Sequence, residues 1–177
     1  EDGHETAITE GAGTIALELA RWPDPIETVL IPLGNGALAA GMGAWLRARR
    51  PDVRVVAVCA AGAPAMELSW RAGQPISTQG SDTIADGIAV REPVPAAVGD
   101  LRGLVDDVLM VSEAGMIAAM RAVFESMGLL VEPAGVVGIA AALEHRDSLG
   151  GELIATPLCG GNLTTEQVAR WIGPWPC

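Results

Sequence analysis

The residues best suited to chemistry in this sequence lie in and around glycine turns. After the apolar Ile31-Pro32-Leu33 comes Gly34-Asn35-Gly36-Ala37-Leu38-Ala39-Ala40-Gly41. Glycines there let the backbone approach a ligand and expose successive N–H groups. A helix predicted to follow aims the positive end of its dipole at the same place, so an anion such as phosphate fits. A second turn, Leu158-Cys159-Gly160-Gly161-Asn162, follows another apolar run, and the Cys159 thiol could meet a ligand there as a weak hydrogen-bonding group. Glu132-Pro133-Ala134-Gly135 sets a carboxylate immediately before a helix rich in small residues, and Thr83-Ile84-Ala85-Asp86-Gly87 reads, taken alone, as a turn with a polar rim. The first three features also have a plainer reading: a tight turn for helix packing, a buried small residue, a carboxylate stabilised by a helix dipole.

Composition removes whole chemistries. All eleven basic residues of the 177 are arginines, and there is no lysine. That excludes a Walker-type phosphate loop, a lysine general base and a Schiff base formed by a lysine of this sequence. With a formal net charge of −11, no nucleic-acid partner is expected, since phosphate backbones need a basic surface. The Arg47-Ala48-Arg49-Arg50 run reads as a helix C-terminus meeting solvent. The uncharged stretch 28–46 is broken by Pro32 and Gly34-Asn35-Gly36, so no membrane span is expected. Cys59, Cys159 and Cys177 are an odd, widely spaced set that suits reduced thiols in a cytoplasmic protein. His4 and His145 carry no motif, and no Cys or His pair has zinc spacing, so no metal site is expected. Glu1-Asp2-Gly3-His4-Glu5 does not read as a signal peptide.

The elements that must position these turns alternate between strand and helix. A helix is predicted from Gly11 to Arg21, stopped by Pro23, with buried strands over 28–32 and 53–58. Helices are predicted over 37–50 and 63–71, and a loop is marked by Gly73, Pro75 and Gly80. A third strand covers 107–111. Ser112 reads as an N-cap for a helix whose Met116, Ala119, Met120, Val123 and Met127 line one core-facing side. Pro133 opens a helix ahead of apolar 136–143, and 153–158 reads as a last strand. The fold class is therefore α/β: one domain over 1–177 with a mostly parallel twisted sheet and helices on both faces. Both main glycine turns then sit at the carboxyl ends of strands, where such sheets bind ligands.

Gly34-Asn35-Gly36-Ala37-Leu38-Ala39 also spells the Gly-x-Gly-x-x-Ala dinucleotide fingerprint. A nucleotide-binding domain wants an acidic residue ending the next strand, and Val58-Cys59-Ala60 stands there instead.

Five segments in this order resemble the threonine dehydratase and serine racemase group of pyridoxal phosphate (PLP) enzymes, the fold-type II or tryptophan-synthase-β-like class. They are Glu10-Gly11-Ala12-Gly13-Thr14-Ile15-Ala16-Leu17-Glu18, Ile31-Pro32-Leu33-Gly34-Asn35-Gly36-Ala37-Leu38, Thr83-Ile84-Ala85-Asp86-Gly87, Val131-Glu132-Pro133-Ala134-Gly135 and Cys159-Gly160-Gly161-Asn162. The resemblance implies that the chain is most of the large, PLP-holding domain. Gly34, Asn35, Gly36, Ala37 and Leu38 then match a tetraglycine loop holding the cofactor phosphate. Asn35 and Ala37 depart from glycine, and Ala37 needs φ below zero there. Cys159 matches the Ser or Cys that meets the pyridine nitrogen, a neutral group that suits β-elimination over transamination. Glu132 matches a glutamate near the ring edge.

The family's Schiff-base lysine and small domain lie upstream of the matched region, so no catalytic residue is expected in this chain. The resemblance implies a C-terminal part of an L-threonine or L-serine ammonia-lyase, giving a 2-oxo acid and ammonia, that cannot turn over alone. A serine racemase, a non-catalytic PLP-binding homologue and a nucleotide-binding domain are the alternatives. It implies L-threonine and L-serine as substrates and a homo-oligomer, dimer or tetramer. Some relatives bind a cation through carboxylates where Cys59 and Ala65 stand here, so no such metal is expected. Trp171 and Trp175 are expected to close the domain onto its own core.

Overall fold

A computed structural model describes residues 5–173. Four strands form one sheet: β1 (Thr28–Pro32), β2 (Arg54–Ala60), β3 (Asp107–Val111) and β4 (Ile154–Ala155), in the order β3-β2-β1-β4. All pairings are parallel, with Thr28 opposite Arg54 and Ile154, and Val56 opposite Asp107. Parallel strands need crossovers. Those crossovers are α2 (Ala37–Arg49), then α3 (Ala65–Ala72) and α4 (Pro95–Asp100), and finally α5 (Glu113–Met127), α6 (Val137–Glu144) and α7 (Arg146–Leu149), while α1 (Thr6–Leu19) precedes β1. A last helix, α8 (Thr165–Trp171), follows β4.

Side chains alternate across the sheet, giving two buried layers. Leu30, Val56, Val58 and Ala60 meet Met116 and Met120 of α5, Val137 and Ala141 of α6 and Trp171 of α8. Val29, Ile31, Val55 and Ala57 meet Ala16 of α1, Met42 and Leu46 of α2, Met66 of α3 and Val98 of α4. Because both faces are covered, β1 is buried at all five positions, which is why it reads as an unbroken apolar run. Trp171 closes onto this core as expected; Trp175 lies outside the described residues, as do His4 and Cys177.

Several boundaries differ from expectation. The first helix starts at Thr6 rather than Gly11 and ends at Leu19 rather than Arg21. Its internal glycines do not break it because they serve contact: a Cβ on Gly13 would lie 2.9 Å from the Gly41 carbonyl oxygen of α2. Met127 is 62% exposed, so the methionine stripe of α5 stops at Val123, one turn before Gly128 ends the helix in the left-handed conformation. Pro133 opens a 3₁₀ turn, Pro133–Val136, with the α-helix beginning at Val137. The strand expected over 153–158 pairs only at Ile154 and Ala155. Helices α4, α7 and α8 have no counterpart among the predicted elements, although Thr164 and Gln167 form a reciprocal capping box at the start of α8.

Ser112 does cap α5, accepting from the Gly115 amide at 3.0 Å, and Glu144 of α6 in turn accepts from the Ser112 amide at 3.1 Å. Arg47 pairs with Asp106 and Arg50 with Asp52, so the arginine run ends α2 in ion pairs at the surface. Among the described residues no helix is long and apolar enough to cross a membrane.

Candidate cofactor site

The chain leaves β1 toward β2 on one side, while β4 pairs on the other, so the strand order reverses between β1 and β4. A crevice opens at the carboxyl ends of such neighbours. It holds a cavity of about 180 Å³ lined by Gly34, Asn35, Gly36, Ala37, Leu38, Glu132 and Cys159, which is every expected site residue. Pro32, Gly87, Ile88 and Ala134 complete the lining.

The turn after β1 is built to leave donors free. Leu33 extends the ladder, its amide donating to the Val58 carbonyl at 2.9 Å. Gly36 takes φ +99°, the left-handed region, and no side chain caps α2 behind it. The first intrahelical bond runs from the Ala40 amide to the Gly36 carbonyl at 2.8 Å. Among the described residues, no acceptor meets the amides of Gly34, Asn35, Gly36, Ala37 or Leu38. No described residue other than glycine has positive φ, so Asn35 and Ala37 replace glycine without backbone strain. A row of free amides at the positive end of a thirteen-residue helix suits a bound anion.

The opposite wall is formed by the Glu132 turn and the loop after β4. Glu132 Oε2 accepts from the Asn162 amide at 2.9 Å, and the Glu132 amide donates to the Gly160 carbonyl at 3.2 Å. Gly160, at φ +87°, lets that carboxylate approach: a Cβ there would lie 2.6 Å from Glu132 Oε1. Burial, and secondarily the Glu132 charge, push the Cys159 thiol above its ordinary range, so it faces the cavity in its neutral form.

Gly87 and Ile88 sit in the 3₁₀ turn Asp86–Ile88, whose sequence reads only as a turn with a polar rim. A Cβ on Gly34 would meet the Gly87 carbonyl oxygen at 3.3 Å, and one on Gly87 would meet Ala134 Cβ at 3.1 Å. Three backbones therefore close on one another around the cavity. Nothing local in Thr83-Ile84-Ala85-Asp86-Gly87 reveals this; only its place among the five segments points there.

Cys59, at the end of β2, is buried and donates to the Leu33 carbonyl at 3.7 Å, bracing the residue before the turn. Burial, reinforced by Glu67, pushes its thiol up to about 12 from an ordinary 9.0. The folded state then holds a proton that the unfolded state releases above about pH 9, so stability is complete below that pH and falls toward pH 12. The sequence has no lysine and no tyrosine to obscure this range. Urea midpoints should decline between pH 9 and 12, and Cys59→Ala should flatten most of the decline; an unchanged slope would exclude Cys59 as its origin. Among the described residues no group of three or more His, Cys, Asp or Glu side chains could hold a metal ion.

A crevice at the carboxyl ends of parallel strands, walled by a row of free amides, suits a phosphate-bearing ligand. Residues 1–160 match the model of the pyridoxal-phosphate dependent enzyme family, and the chain belongs to that family, whose cofactor is PLP. It is 36% identical over 163 residues to an L-threonine ammonia-lyase of Geobacter sulfurreducens, covering 92% of this chain and 40% of that protein. It is also 36% identical over 141 residues to a serine racemase of Oryza sativa, covering 77% of this chain and 40% of that one. Among solved structures, a T.th. threonine deaminase superposes with a TM-score of 0.83 at 33% identity, covering 87% of this chain and 58% of that one. The chain thus spans about two fifths of the length of these curated relatives.

Proposed function

We propose that this chain is the cofactor-holding part of a PLP-dependent L-threonine/L-serine ammonia-lyase, which eliminates the β-hydroxyl and yields a 2-oxo acid and ammonia. The observation that carries this reading is the convergence of the free Gly34 to Leu38 amides, Glu132 and Cys159 on one cavity. When bound, PLP supplies an electron-withdrawing ring that stabilises negative charge at the substrate α-carbon. The amides of Gly34 to Leu38 would hold its phosphate. Cys159 would meet the pyridine nitrogen as a neutral thiol, a group that, unlike a carboxylate, would not fix a proton there, which suits elimination over transamination. Glu132 positions the Cys159 loop through the Asn162 amide.

The sequence has no lysine with which to attach the cofactor or carry the α-proton, so the chain alone holds PLP without turnover. Its free Cys59 and Cys159 support a reducing, cytoplasmic setting. Titration with PLP, followed by the fluorescence of the five tryptophans, should saturate. Pyridoxal, which lacks the phosphate, should bind at least about tenfold more weakly, the worth of one charge-assisted hydrogen bond or more. Equal affinity for the two would sink the phosphate assignment. Serine racemase is the second reading, favoured by the equal 36% identity to the rice enzyme. With L-serine, a complete enzyme containing this chain should release 2-oxo acid faster than it forms D-serine; the reverse ratio would select the racemase.

A further inference from the structure

The cavity wall that carries Gly87 and Ile88 has almost no regular structure of its own. Between α3, which ends at Gly73, and α4, which opens at Pro95, the 3₁₀ turn Asp86–Ile88 is the one regular element among the described residues. Its place is nonetheless closely set, because Gly87 lies against both Gly34 and Ala134.

The hydrogen bonds within this segment shape the turn without placing it. The Ile88 amide donates to the Ala85 carbonyl at 3.1 Å and the Ala89 amide to the Asp86 carbonyl at 3.1 Å, while Thr83 Oγ1 accepts from the Ala85 amide at 3.1 Å. Over 81–90, two hydrogen bonds reach the rest of the described residues: the Asp82 amide donates to the Gly62 carbonyl at 2.8 Å, and the Ile84 amide donates to Glu113 Oε2 at 2.8 Å. Of the two, only the second is made by a side chain, and Ile84 stands two residues before the turn.

Glu113 is suited to hold it. It is the first residue of α5, at the positive end of a fifteen-residue helix that stabilises a carboxylate there. The helix itself is anchored in the core through Met116 and Met120. The second carboxylate oxygen, Glu113 Oε1, is buried and has no hydrogen-bond partner among the described residues. The bond to Ile84 is therefore what the carboxylate does in this fold. Glu113 does not itself line the cavity.

We propose that Glu113 is a positioning residue for the cofactor: by fixing the Ile84 amide it sets Gly87 and Ile88 against the Gly34 turn and keeps that wall in register with the amide row. This rests on the proposed function. Three variants of the 177-residue chain, each titrated with PLP by tryptophan fluorescence and unfolded in urea, provide the test. Glu113→Ala removes the acceptor and should weaken PLP binding at least about fivefold, with amide exchange at Ile84 faster by a similar factor. Glu113→Gln keeps a carbonyl oxygen for Ile84 but sets an unpaired amide group where Oε1 is buried and withdraws the charge from the helix end. Its urea midpoint should fall while its PLP affinity stays within about twofold of the parent. Ser112→Ala takes the cap from the same helix and should likewise lower the midpoint and spare affinity. A merely structural role would instead make affinity follow the midpoint in all three. Parent-like affinity in Glu113→Ala, or an equal loss in Glu113→Gln and Ser112→Ala, would overturn the proposal. A parent chain that binds no PLP would overturn the cofactor assignment, and this proposal with it.

Discussion

Gly41→Ala is expected to destabilise the chain by about 3 kcal/mol, the upper end of what overpacking costs in a tightly packed site. In an exposed helix the same change would stabilise by up to about 1 kcal/mol, because alanine has the higher helix propensity. The sign reverses here because α1 crosses α2 at this glycine. A Cβ on Gly41 would overlap the Thr9 carbonyl oxygen and lie 2.8 Å from the Gly13 amide nitrogen. Backbone occupies that space on both sides, so neither helix can yield by a rotamer change; α2 must shift. Since α2 begins at Ala37, the shift reaches the amide row, and PLP affinity should fall together with stability. Gly11→Ala on α1 is the control, with nothing within 4 Å of its Cβ, and should be neutral or stabilising. Urea unfolding of both variants measures the contrast. Equal effects at the two positions would mean that α1 and α2 are not in contact as described.

Ala37→Pro should lower affinity for PLP, and for inorganic phosphate, by about 10- to 100-fold while leaving stability close to that of the parent chain. The effect is the loss of a single donor to a dianion, worth about 1.5–3 kcal/mol for a hydrogen bond to a charged group. Proline is tolerated at the first helical position because the N–H it removes has no intrahelical acceptor and its φ suits the helix. Ala37 occupies that position, with negative φ, directly after Gly36. The substitution therefore deletes a ligand contact and spares the helix, a separation that a side-chain truncation cannot achieve in a site built from backbone. Isothermal titration against phosphate and PLP, beside a thermal melt, reads both quantities. Unchanged affinity would remove the Ala37 amide from the phosphate site.

Much of the site could be read without the fold because its parts are local. Glycine turns follow apolar strands, and an apolar, alanine-rich helix follows the first turn, so Gly34 to Leu38 and Cys159 announce themselves by residue type. Glu132 is different. Its spacing from Asn162 in the sequence says nothing about the 2.9 Å bond between them, which exists because α6 carries the chain away from the first loop and β4, parallel to β1, returns it to the second. Gly87 and Ile88 illustrate the same limit, since a short 3₁₀ turn acquires its role from the two backbones packed against it.

By itself the sequence determined the alternation of strands and helices, the donor-rich turn before α2 and, through its want of lysine, the lack of a covalent anchor for PLP among its own residues. These depend on residue type and on contacts within a few positions. The order β3-β2-β1-β4 and the convergence of three distant loops on one cavity were decided only by tertiary structure. They depend on which strands lie side by side. An apolar run such as 153–158 has the composition of a buried strand whether or not a neighbour covers it, and packing alone reveals that one side of β4 is open.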